Sequence, residues 1–426
     1  MLQPAVAHQV NPLQFPEMFR IRHNFPRPRL EDIEGTLRAE LDRSGLHFPP
    51  RARIAIATGS RGIANLAQFV RGTASWIKEH GGEPFIVPAM GSHGGATAEG
   101  QRQVLEGYGV TEEFVQAPIL SSMEVVELPH GDLPVPLYFD RNASQAYGTI
   151  LINRIKPHTD FHGPYESGLM KMIVIGLGKH AQALAIHQRG VYGLREVIPQ
   201  AARAVLSQGR VLLGIGLVEN AYDETQLIRA IPPAEIPERE PELLELARRS
   251  MPRLPVDELD VLVIDRFGKD ISGVGLDTNI IGRLMVRGEP EPSTPHITTI
   301  VLGDLSPGSH GNAIGMGLAE VMVRRAYPKI DFQATHENLF TSGFLLRGKT
   351  PVLVDSDQEA LTYALRGSGV LDPRQGRVAR ILDTLHLSEL LVSQPVLTQL
   401  EGQQDIEVLG QVEQLFDESG SYITPL

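Results

Sequence analysis

The sequence predicts an α/β protein of two domains, each built on a parallel or mixed sheet, with an active-site cleft between them. Three observations predict it. Short apolar, β-branched runs such as Arg53–Thr58 (RIAIAT), Thr149–Ile152 and Val211–Val218 (VLLGIGLV) read as buried strands. Each leads into a glycine-rich or polar loop and then into helical periodicity, the alternation that builds parallel sheets. A second series of the same kind starts at Val261–Asp265 (VLVID), beyond a Pro-rich, charged stretch at 231–255. The 426 residues exceed one ordinary domain. The expected division is 1–255, 256–400 and a tail, 401–426, that packs back on the first domain.

In order, the Pro-rich beginning gives way to a helix over Glu31–Leu41 and to the strand Arg53–Thr58. That strand ends in Gly59-Ser60-Arg61-Gly62, ahead of an amphipathic helix, Ile63–Glu79. A second strand, Pro84–Pro88, ends in Met90-Gly91-Ser92-His93-Gly94-Gly95-Ala96-Thr97 and another helix. Ile119–Glu127 and Val135–Phe139 read as strands. After Thr149–Ile152 come a helix at Ile198–Leu206 and the strand Val211–Val218. Residues 231–255 have the composition of a linker holding one short helix. Beyond VLVID lies a glycine-rich tip, 269–279, then strands at Ile297–Leu302 and Val352–Val354 with a helix, Asn312–Ala326, between them. The segment 378–418 mixes strand and helix signals.

Composition narrows the function classes. A net charge of −12 lacks the basic face that a nucleic-acid partner requires. No run approaches eighteen apolar residues, so no membrane span or membrane partner is expected. The first residues lack the charged and apolar regions of a secretory signal, and the expected compartment is the cytoplasm. The chain has no cysteine. Any metal must then be held by histidine, by carboxylate, or by sulfur that a cofactor brings.

Chemistry concentrates in Gly148–Gly190, where four histidines and three lysines follow a strand end. Ligands of open α/β sheets bind beyond strand carboxyl ends. His158 follows Pro157, which keeps the backbone extended and projects the ring from a loop. Lys171, inside SGLMKMIVIG, is either a snorkelling surface residue or a functional amine with a depressed pKa. His187 reads equally as an ordinary helix histidine. Gly91-Ser92-His93-Gly94-Gly95 precedes a helix whose free amides favour anions, though a tight turn explains it as well. It is neither a P-loop nor a dinucleotide fingerprint. Arg61 at a strand tip suits a bidentate grip on carboxylate or phosphate, or is a solvated turn arginine.

Taken together, these features resemble the nickel-pincer-nucleotide-dependent lactate racemase family. The resemblance spans most of the chain and lies in the order and spacing of its motifs. It implies that His93 in GSHGGAT and His158 in KPH are the two catalytic histidines. It implies that Lys171 in SGLMK is joined covalently to the cofactor and that His187, sixteen residues on, ligates nickel. Arg61, with Ser60, Gly94, Asp277 and Asn279, is implied in binding cofactor or substrate. The implied cofactor is the nickel-pincer nucleotide, a nickel complex of pyridinium-3,5-bisthiocarboxylic acid mononucleotide. The implied activity is racemisation or epimerisation of a small-molecule 2-hydroxy acid. Histidine takes the hydroxyl proton while the C2 hydride passes to the cofactor and returns on either face.

The sequence departs from the lactate enzymes at several points. Thr58 stands in place of an aspartate, and the segment from His158 to Lys171 is three residues longer, bringing in His162, Tyr165 and Glu166. Gly282 and Met285 replace a glutamine and a lysine, with Arg283 as a substitute charge. These differences bear on lactate more than on the cofactor, and the expected substrate is a lactate-like or larger 2-hydroxy acid, a sugar acid among them. Two alternatives stand beside this reading: a non-enzymatic binding protein of the same fold, and a metal hydrolase using His93, His158 and His162.

Overall fold

The computed structural model describes residues 14–59 and 62–426. The chain is α/β with mixed sheets, in two compact units, one of 26–251 and one of 252–426 with residues 14–25.

In the first unit five strands lie in the order Glu83–Pro88, Arg53–Thr58, Gly148–Arg154, Val211–Glu219, Thr225–Ile231. The first four are parallel and the last is antiparallel. Alternation sends Ala55, Ala57, Phe85, Val87 and Leu151 into one core, and Ile54, Ile56, Ile86, Ile150 and Ile152 into another. Burial on both faces explains why these strands read as continuous apolar runs. The helix Leu66–Glu79 fills the isoleucine face with Phe69, Val70 and Ile77. The other face takes Leu169, Met170 and Ile173, the helix Ile198–Ser207, and Ile236, Leu243 and Leu244.

Residues 231–255 are not a linker. They complete the strand Thr225–Ile231 and form a fifteen-residue helix, Ile236–Ser250, packed on Val211–Glu219. Pro232 and Pro233 precede it, and Pro237 sits in the first turn, where a missing N–H costs nothing. Only Pro241 lies inside it. Gly214 and Gly216 let the helix approach, because a Cβ on Gly214 would fall 3.1 Å from Ile236 Cδ1, and one on Gly216 3.2 Å from Leu243 Cδ1.

The second unit holds an eight-stranded sheet, ordered Val352–Val354, Val321–Val323, His296–Leu305, Glu258–Phe267, Val378–Ile381, Glu389–Ser393, Met18–His23, Ile406–Gln411. The expected 1–255 domain takes in residues 14–25, yet Met18–His23 pairs with Glu389–Ser393 and Ile406–Gln411 here. Nothing local in a six-residue strand names its partners. The expected 401–426 tail likewise supplies the edge strand of this sheet. The expected helix Asn312–Ala326 is absent. Gly315, at φ +94°, packs where a Cβ would meet the Val274 carbonyl at 1.9 Å, and β-branched Val321–Val323 pairs as a strand. The helix comes later, at Phe332–Ser342. Among the described residues no single helix is long and apolar enough to cross a membrane.

Candidate active site

The order of the five-stranded sheet reverses beside its first strand. From Arg53–Thr58 the chain goes to Glu83–Pro88 on one side and later returns as Gly148–Arg154 on the other. Such a reversal leaves a crevice at the strand carboxyl ends. Asn153 marks it: a Cβ on Gly59 would lie 2.4 Å from Asn153 Oδ1, and Asn153 Nδ2 donates to the Gly168 carbonyl at 2.8 Å. Arg154 pairs there with Glu219, which also accepts the Ala64 amide at 2.8 Å. Burial pushes the Glu219 carboxyl up, against the pull of Arg154.

After Gly148–Arg154 the chain makes a loop closed at its base by Lys156 and Ser167, whose amides and carbonyls bond reciprocally at 2.9 and 3.2 Å. Glu166 organises the interior. Its carboxylate accepts the His158 amide at 2.6 Å, the Gly163 amide at 3.0 Å, and contacts from the His162 ring and Arg248. Burial alone would push this carboxyl up, but the His162 ring, the two amides and Arg248 outweigh it and hold it low.

That frame fixes the His158 ring. The Asp160 amide donates to His158 Nδ1 at 3.1 Å, the Asp160 carboxylate lies 3.7 Å from the same nitrogen, and Phe161 packs on the ring at 4.8 Å. An Nδ1 that accepts assigns the neutral ring's proton to Nε2. Nε2 is in hydrogen-bond contact with Lys171 Nζ. Lys171 is half-buried on a helical segment, Leu169–Gly176, whose second part is a π-turn of the kind found at functional sites. Its neighbours Leu169, Met170, Met172 and Ile173 are fully buried or nearly so.

His187 ends the next helix, Lys179–His187. Burial, then the positive charge that Lys171 carries when protonated, push its ring down to about 4, with Asp160 opposing. His158, Lys171, Asp160 and His187 are thus one electrostatic group. The His93 loop packs against the helical segment that carries Lys171. Gly91, at φ +62°, lets that loop seat where a Cβ would be 2.9 Å from Ile175 Cγ2. Buried Gln101 donates to the carbonyls of Gly91 at 2.8 Å and His93 at 3.3 Å. Gly94, at φ +64°, turns the chain against Gly100, too close there for any side chain.

Ser60 and Arg61 lie outside the described residues. Asp277 and Asn279 belong to the other unit, where Asp277 caps its own turn and accepts from the Asn279 amide at 2.9 Å. Arg283 is spent on the carbonyls of Leu318 and Ile297, at 2.7 and 2.8 Å, and on Glu320. His162 is exposed, its Nδ1 3.3 Å from Glu166. Among the described residues no group of three or more histidines and carboxylates is arranged to hold a metal ion.

Three residues escaped sequence reasoning. Lys179 is fully buried at φ +55°, with Nζ 2.9 Å from buried Asp140 and bonded to the Pro88 carbonyl. Burial lowers its pKa, with Asp140 opposing. It ties the strand before the His93 loop to the helix that carries His187. Glu240 and Arg248, on Ile236–Ser250, contact the Lys171 segment and the His158 loop from below.

No family model matches the chain, and no curated protein matches it. Among solved structures, the lactate racemase apoprotein from Thermoanaerobacterium thermosaccharolyticum is similar at 12% identity. The match covers 87% of this chain and 99% of that one, with a TM-score of 0.49.

Proposed function

We propose that the chain is a racemase or epimerase of a 2-hydroxy acid that works with a nickel-pincer nucleotide. The observation that carries the reading is the contact of His158 Nε2 with Lys171 Nζ, with a neutral His187 beside it. An amine becomes a nucleophile when its lone pair is available. A ring that carries its proton on Nε2 donates to the Nζ lone pair a hydrogen bond that only the unprotonated amine can accept. A histidine held near 4 is neutral at pH 7, the form that ligates metal.

The donor set fits the group. It offers one amine for covalent attachment and one neutral imidazole for the metal, while sulfur ligands come with the cofactor, since the chain has no cysteine. When bound, the nucleotide supplies acceptance and return of the C2 hydride. The chain's own residues handle the proton. Once Lys171 is joined to the cofactor, His158 Nε2 is released from it. A His158 ring with its proton on Nδ1, toward the Asp160 carboxylate 3.7 Å away, then takes the substrate hydroxyl proton at Nε2, its backbone held by Glu166. His93 serves the other stereoisomer, and Arg61 anchors the substrate carboxylate or the cofactor phosphate. The longer loop after His158 favours a lactate-like or larger substrate, such as a sugar acid.

The test is intact mass and nickel analysis of the chain produced with the cofactor-making enzymes, followed by a panel of 2-hydroxy and sugar acids. An adduct mapped to Lys171, with nickel in equal amount and isomerisation of one panel member, supports the reading. Absence of adduct and nickel overturns it in favour of a binding protein.

A further inference from the structure

We propose that the helix Ile236–Ser250 is the positioning platform of the Lys171–His158 pair, and that Glu240 is the residue that sets the Lys171 turn. The proposal rests on Lys171 being the reactive amine.

The first amides of any helical segment have no partner within it. Here they belong to Leu169 and Met170, immediately ahead of Lys171. Glu240 is fully buried and receives both, the Met170 amide at 2.8 Å on Oε2. Gly168 makes room, because a Cβ there would lie 2.2 Å from Glu240 Oε1. Oε1 itself has no hydrogen-bond partner among the described residues. A packing helix has no use for such a group: its neighbours Leu243, Leu244 and Ala247 show what this core accepts. A buried oxygen left unpaired costs stability and calls for a reason outside packing. Burial pushes the carboxyl up to about 8, against the two amides, so at neutral pH Glu240 caps the turn without setting a negative charge beneath Lys171.

The same helix holds the other member of the pair. Arg248 bonds the Glu166 carboxylate and donates to the Gly163 carbonyl at 3.0 Å, and Glu166 in turn holds the His158 amide. Near the helix start, the Tyr165 hydroxyl donates to the Pro237 carbonyl at 2.7 Å. Lys171 and His158 therefore both hang on one helix, at 240 and at 237 and 248.

The experiment needs no cofactor. The full chain is acetylated with sulfosuccinimidyl acetate over a pH series, and the rate at Lys171 is read by peptide mass spectrometry, with exposed Lys349 as internal reference. Glu240→Leu is expected to slow Lys171 at neutral pH by about tenfold, the effect of losing a helix cap and the His158 contact, and to move its pH midpoint upward. Glu240→Gln, which keeps the acceptor, restores the profile. An unchanged Lys171 profile in folded Glu240→Leu overturns the proposal. If that variant does not fold, Arg248→Met carries the test, with the same slowing expected and an unchanged profile overturning it. Missing adduct and nickel beside shifted labelling would instead count against the racemase reading alone.

Discussion

The Tyr165 hydroxyl donates to the Pro237 carbonyl at 2.7 Å, the carbonyl that Pro241, four residues on, has no N–H to serve. The loop around His158 thus repairs the one defect in the helix beneath it, and Arg203 adds a donor to the same hydroxyl at 3.0 Å. Tyr165→Phe should cost about 1–3 kcal/mol, the price of a buried acceptor left unpaired. Urea unfolding measures it, and a loss no larger than for an exposed tyrosine such as Tyr147 would show the bond to be incidental.

Glu240 and pH give a second expectation. Its carboxyl is raised to about 8 in the folded chain, so the folded state keeps a proton that the unfolded state releases near 4.5. The stability tied to that proton is complete below the unfolded value and is lost as pH rises through 8. Glu240→Gln has no proton to lose. It should exceed the parent by roughly 2–4 kcal/mol at mildly alkaline pH and match it in acid. Parallel stability curves for the two proteins would contradict the raised pKa.

His187 works in the opposite direction. Its folded value near 4 lies below the usual 6.5, so the unfolded chain binds the extra proton. Stability from this group is present above 6.5 and falls as pH drops through 4, by about 3 kcal/mol in full. His187→Gln should flatten that part of the curve. Thermal melts across the acid range read it directly.

Much of this was legible in the sequence, and the limits have physical causes. The strands of the first sheet announce themselves because both faces are buried, and Pro157 marks where His158 leaves the sheet. The helix Ile236–Ser250 was hidden by its prolines, which look like breakers until three of them fall at or before its first turn. Met18–His23 was hidden because pairing across the whole chain is a tertiary choice. Lys179 had one signal, a lysine directly after Gly178 in an apolar window. Its left-handed backbone and its partner Asp140 come from folding alone.

The Lys179–Asp140 pair is fully buried, and Asp140 also accepts the Ala143 amide at 2.8 Å. Removing one partner strands a charge, so Lys179→Met or Asp140→Ala should each cost about 3–5 kcal/mol. The double variant Lys179→Met with Asp140→Leu should recover most of that, short of the cap on Ala143 at about 1 kcal/mol. A double-mutant cycle in chemical denaturation reads the coupling. Additive losses would mean that the two groups do not act as a pair.

The most exposed expectation concerns His158. If it is the proton acceptor for one stereoisomer, His158→Ala should still carry an adduct on Lys171, formed more slowly for want of the Nε2 contact, and nickel on the protein, which His187 ligates. Isomerisation of the identified substrate should fall by roughly 10²–10⁴, the usual contribution of a general acid–base group. Both directions must fall together, since a catalyst cannot move the equilibrium between stereoisomers. His162 offers an internal control. It sits four positions along the same loop with its ring turned to Glu166, so His162→Ala should change the rate far less. Adduct, nickel and rate are measured on the same samples, which separates failed loading from failed chemistry. Near-normal activity in His158→Ala, with the adduct intact and activity lost in His162→Ala, would transfer the second base to His162 and make the Lys171–His158 contact purely structural.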